Sequence, residues 1–160
     1  MITLDPQSRS EFHKWLSEAA VNAHCKEGIS CEQPLSARFP QLHSLVLKGK
    51  VFTRHLMDLI KNLSPTLRSL HLINVTLLRG PDMDDGENLW TGFLEEIGPF
   101  SERLEEFFLN RPSHTDSLDR KEAVRFRSGQ YILQWNRCVT PPDMRRELEE
   151  LSRQIENNYP

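Results

Sequence analysis

Cysteine is scarce in this sequence. Cys25, Cys31 and Cys138 are the three in 160 residues, an odd number that builds no disulfide framework. Reduced thiols suit an intracellular chain, cytoplasmic or nuclear. No run approaches the roughly 18 apolar residues of a membrane span. Residues 1–11 carry Asp5, Arg9 and Glu11 where a signal segment would be apolar, so no membrane association is expected. No sign of charge dominates either: Lys and Arg number 20, Asp and Glu 23, and the net charge is −3. The longest basic cluster, Arg120, Lys121, Arg125 and Arg127, is broken by Glu122 and reads as a solvated face. A nucleic-acid partner is not expected from such a balance.

Motifs for chemistry are missing as well. Five residues lie between Cys25 and Cys31. Structural zinc wants about two to four residues between paired cysteines and then a second pair, so no metal is expected, even with His13 and His24 nearby. Asp82, Asp84, Asp85 and Glu87 fail as a calcium loop, because Glu87 stands where the loop needs glycine and Phe93 where it needs glutamate. Gly49-Lys50 is no phosphate loop, since Ser44 replaces the first glycine and Val51 the hydroxyl residue. Glu95-Glu96 and Glu105-Glu106 are adjacent pairs whose members point in different directions, so they make poor acid–base dyads. The expectation is a non-enzymatic chain without a cofactor. The alternative is a small α/β hydrolase or transferase lacking a recognisable motif.

Leucine is abundant. Its 22 residues outnumber the 13 of isoleucine plus valine, which favours helices and leucine-built repeats over a β-sandwich. The spacing L-x-x-L-x-L occurs at Leu42, Leu45 and Leu47, recurs 25 residues later at Leu67, Leu70 and Leu72, and recurs after 37 more at Leu104, Phe107 and Leu109. Asn74 and Val75 extend the middle copy. About 20 to 29 residues is the period of leucine-rich solenoids, and a loop around residues 80–89 supplies most of the excess in the second interval. A helix follows each of the first two strands. Thr53 is expected to cap one that turns Leu56, Leu59, Ile60 and Leu63 inward, and Ser64-Pro65 ends it. Thr91 is expected to cap the other, with Phe93, Leu94 and Ile97 inward, ended by Gly98-Pro99.

One domain, residues 1–160, is expected: an α/β solenoid of about three parallel strands with intervening helices. Residues 7–28 form an N-terminal capping helix placing Phe12, Trp15 and Leu16 on one end, and residues 31–40 form a connection. Residues 39–111 form the repeats. Residues 123–135 read as a hairpin, with Val124 and Phe126 alternating before Ser128-Gly129 and Tyr131, Leu133 and Trp135 alternating after it. That hairpin should close the open end of the sheet. A last helix over residues 140–158 starts from Thr140 and Pro141, with the stripe Met144, Leu148, Leu151 and Ile155 docked on the domain.

Residues 67–77, a glycine-containing loop, Trp90, a short helix and the third repeat together resemble the leucine-rich-repeat half of fungal F-box-type proteins. Residues 1–25 lack the proline-started, leucine-rich pattern of an F-box, so the resemblance implies partner binding alone.

Alternation places the binding surface. With Leu70 and Leu72 inward, His71 and Ile73 face out, as do Val46 and Lys48 in the first strand and Glu106, Phe108 and Asn110 in the third. An aromatic with a charged rim at the centre of a sheet face is what another protein would bind.

Overall fold

The computed structural model describes residues 2–3, 41–80, 88–115 and 120–155. The expected capping helix over residues 7–28, the connection over 31–40, Cys25 and Cys31 lie outside them. So do the acidic residues Asp82, Asp84, Asp85 and Glu87, and the end of the chain after Ile155.

The described residues form a mixed α/β structure of seven strands and three helices. In chain order these are β1 (Ile2–Thr3), β2 (Ser44–Phe52), α1 (Thr53–Leu63), β3 (Ser69–Leu78), α2 (Leu89–Ile97), β4 (Glu106–Asn110), β5 (Ser113–Thr115), β6 (Lys121–Ala123), β7 (Gln134–Cys138) and α3 (Met144–Gln154). The sheet runs β1-β2-β3-β4-β7, with β5 beside the far half of β3 and β6 beside β5. Strands β1 to β4 are parallel, and β7 closes the β4 side antiparallel.

The three leucine patterns lie side by side. Leu45, Leu70 and Phe107 form one row across β2, β3 and β4, and Leu47, Leu72 and Leu109 the next. All six are buried, together with Leu42, Leu67 and Leu104 at the strand entries. Alternation fixes this face, because every second side chain of a strand points the same way. Full burial of each leucine is worth about 1.5–3 kcal/mol relative to exposure. The helices supply the opposing layer, with Leu56, Leu59, Ile60 and Leu63 from α1, Phe93, Leu94 and Ile97 from α2, and Met144, Leu148 and Leu151 from α3 joining Ile155 in one core. Helix α2 touches both α1 and α3.

Why the helices share one side follows from handedness. Parallel crossovers are right-handed, and strand order here advances β2, β3, β4 without reversal, so successive crossovers fall on the same face. The opposite face receives neither of the described helical crossovers.

Each repeat is followed at the same place by a residue of left-handed backbone. Gly49, Asn74 and Arg111, each two residues beyond the last repeat position, all have positive φ, at 103°, 52° and 45°. Glycine adopts this region freely and asparagine tolerates it. At Asn74 the β2–β3 register slips by one residue, so Lys48 pairs with Ile73 but Gly49 with Val75. The slip moves the buried phase of β3 from Leu70 and Leu72 to Val75 and Leu77. Asn74 itself, assigned by spacing to the middle repeat, is exposed.

Several local expectations are corrected. Thr53 is the first residue of α1 rather than its cap. Strand β2 runs directly into the helix, Phe52 holds the extended cap position, and the Thr53 hydroxyl donates to the Leu78 carbonyl at 3.1 Å. Asn88, not Thr91, caps α2, accepting from the Trp90 amide at 3.0 Å. Helix α3 begins at Met144, because Pro142 disfavours a helical conformation at Pro141 before it.

The hairpin is narrower than 123–135. The Val124 carbonyl accepts from Ile132 and the Phe126 amide donates to Gln130 across the Gly129 turn, but the flanks pair elsewhere. Strand β6 joins β5, and β7 joins β4. The alternation also breaks: Ile132 and Trp135 are buried while Tyr131 and Leu133 are exposed. The chain bends at Leu133, which resets the phase before β7.

Candidate functional site

Among the described residues one face of the sheet is free of helices, and this helix-free face carries three transverse rows. The first is Ser44, Ser69, Glu106 and Cys138; the second is Val46, His71, Phe108 and Asn136; the third is Lys48, Ile73, Asn110 and Gln134. The seven residues expected from alternation, Val46, Lys48, His71, Ile73, Glu106, Phe108 and Asn110, therefore share one face. Val46 departs from the expectation of exposure. It is only 8% exposed, flanked by β1 on one side and His71 on the other. It serves as floor for the row, whereas Lys48 is exposed and His71, Ile73, Glu106, Phe108 and Asn110 are half-buried.

The centre of the face is an aromatic pair. The rings of His71 and Phe108 lie with centroids 5.4 Å apart, tilted by 54°, at directly opposed positions of β3 and β4. Beside them is a polar cluster. The Ser69 hydroxyl donates to Glu106 Oε2 at 2.9 Å, His71 Nε2 lies 3.0 Å from the same oxygen, and Ser69 Oγ and His71 Nε2 are 3.1 Å apart. Parallel pairing dictates the cluster, since Ser69 is opposite Glu106 and His71 is two residues along the same face. The hydrogen bond from His71, and after it that from Ser69, holds the Glu106 carboxyl below the usual carboxylate range, against the upward pull of partial burial. The Asn110 side chain donates to the Leu133 carbonyl at 3.1 Å, which ties the third row to the bend before β7.

The cluster contains the residue types of a serine hydrolase but not their arrangement. A relay needs the hydroxyl on one ring nitrogen of histidine and the acid on the other. Here hydroxyl and acid meet the same nitrogen, and the serine proton is directed at the carboxylate. The arrangement holds an ionised carboxylate in place beside an aromatic surface.

Sequence reasoning did not find Gln134, Asn136 and Cys138, because it closed the sheet with a hairpin ending at Trp135, whereas the strand that pairs with β4 is Gln134–Cys138. Nor did it join Ser69 to His71 and Glu106, although the 37-residue repeat interval that aligns Leu70 with Phe107 also aligns Ser69 with Glu106.

Elsewhere, Arg125 of the basic cluster stacks on Tyr131 with its guanidinium 4.5 Å from the ring centroid. Among the described residues no group of three or more His, Cys, Asp or Glu is placed to hold a metal ion, and no helix is long and apolar enough to cross a membrane. Comparison with protein-family models, curated proteins and solved structures finds no match to this chain.

Proposed function

We propose that the chain is a protein-interaction module, a short leucine-rich-repeat-like solenoid in the style of the repeat half of fungal F-box-type proteins. It holds a partner protein on the helix-free face of its sheet. The observation that carries the reading is the His71–Phe108 pair at the centre of that face, half-exposed and bordered by Lys48 and Glu106. Aromatics at the centre of a patch, with polar groups around them, are where binding energy concentrates. The in-register stacking of the three leucine patterns supports the solenoid part of the proposal. An intracellular setting, cytoplasmic or nuclear, accords with the thiol count.

Phe108→Ala tests it. Partner capture from cell extract, quantified beside wild type, should fall by about 2 kcal/mol equivalent or more with the melting temperature little changed. A partner retained by Phe108→Ala, or a large loss of stability, would reject the site.

A second reading, a small α/β hydrolase, draws on the presence of Ser69, His71 and Glu106 together. Labelling of Ser69 by a fluorophosphonate, abolished in Ser69→Ala, would support it. The hydrogen bond from Ser69 to Glu106 argues against it.

A further inference from the structure

The outer edge of β7 is a surface distinct from the face described above. Its inner side pairs with β4, and the hydrogen bonds Val139 N to Glu105 O and Arg111 N to Leu133 O fix which pairs are bonded. In an antiparallel ladder bonded and non-bonded pairs alternate. The bonded pairs are therefore those of Leu133, Trp135, Arg137 and Val139. The backbone N–H and C=O groups of Gln134, Asn136 and Cys138 point away from β4, and all three residues are exposed. Neither proline nor lysine nor a bulge guards the strand between Gln134 and Cys138; its one charge, Arg137, is turned toward Glu147 and Trp135. Next to it stands Leu133, 66% exposed, the most exposed large hydrophobic side chain among the described residues.

We propose that this edge pairs with the same edge of a second copy of the chain, antiparallel about a two-fold axis through Asn136. That register uses every outward group: Asn136 meets Asn136 of the copy, and Gln134 meets Cys138 in both directions. It sets Trp135 opposite the copy's Arg137, so that no like charges face each other across the seam. It also brings exposed Leu133 opposite the copy's Val139, apolar on apolar. Centring on Arg137 would oppose like charges, and centring on Trp135 would leave Cys138 outside the bonded pairs of β7. An isologous two-fold contact closes on itself, so the β7 edge is used up in the pair. The two sheets become one, and the helix-free faces of both copies join into a single surface.

Sedimentation equilibrium of the full chain tests the proposal. Wild type should dimerise reversibly. Asn136→Pro removes an N–H that β4 does not use, so it should weaken the dimer at least about tenfold while circular dichroism and the melting temperature hold. Leu133→Lys, at an exposed position, should weaken it independently. Phe108→Ala should dimerise as wild type does, which separates this edge from the partner-binding face. A wild-type chain that is monomeric at every concentration would overturn the proposal. So would a dimer that survives both Asn136→Pro and Leu133→Lys, or one lost only in Phe108→Ala.

Discussion

Glu106 shows how one residue links fold and site. It lies at the start of β4, shares the face of Phe108, and receives hydrogen bonds from Ser69 and His71. A carboxyl whose folded pKa is depressed stabilises the fold above its unfolded value, near pH 4.3 for glutamate, and that contribution is lost as pH falls through the lower folded value. Glu106→Gln should therefore melt below wild type at neutral pH. The gap should narrow as the pH is taken down through the acid range, because wild type then also carries a neutral group. Thermal melts of both proteins across that range check the sign. A gap that is constant with pH would assign the difference to packing rather than charge.

At the scale of elements, α3 separates what was legible in the sequence from what was not. Its stripe of Met144, Leu148 and Leu151 is buried, as the spacing indicated, because helical periodicity leaves those three on one side; Ile155, expected in the same helix, is buried too but follows it in extended conformation, bridged to Phe126. The helix is fastened at its flanks, by Glu147 to Arg137 at 2.9 Å and by the Ser152 hydroxyl to Glu95 at 2.8 Å. Leu148→Ala should cost about 2–5 kcal/mol in denaturant unfolding, the range for an emptied leucine site in a packed core. A loss under about 1 kcal/mol would mean the helix is not integral to the core. The repeat strands were legible for the same reason as this stripe: alternation of leucine with polar residues leaves a single register that buries the apolar set. Helix starts were not. Thr53 and Thr91 have good capping chemistry, but Thr53 is committed to Leu78 across the sheet and Asn88 reaches Trp90 first. Partners chosen by tertiary position cannot be seen in local spacing. The region after Val124 was misread through an apolar run, Tyr131-Ile132-Leu133, that fits two opposite phases; only the bend at Leu133 and the vacant side of β4 select between them.

At the scale of the whole molecule, the order of strands determines what is covered. Crossovers of one hand over β2, β3 and β4, whose order never reverses, put the described crossover helices on one side, so the candidate face arises from topology as much as from composition. The same order places β3 inside. Ser69–Leu78 has β2 along one side and β4 followed by β5 along the other, while among the described residues β7 has a neighbour on one side alone. Seen through amide hydrogen exchange, this is a steep gradient. The amides of Leu70, Leu72 and Leu77 should exchange with deuterium only when the whole fold opens, whereas those of Gln134, Asn136 and Cys138 in the monomer should exchange at once, without any opening. Among the described residues strand β3 would then be the last to give up its protons and the edge of β7 the first, two clocks with only β4 between them in one continuous sheet.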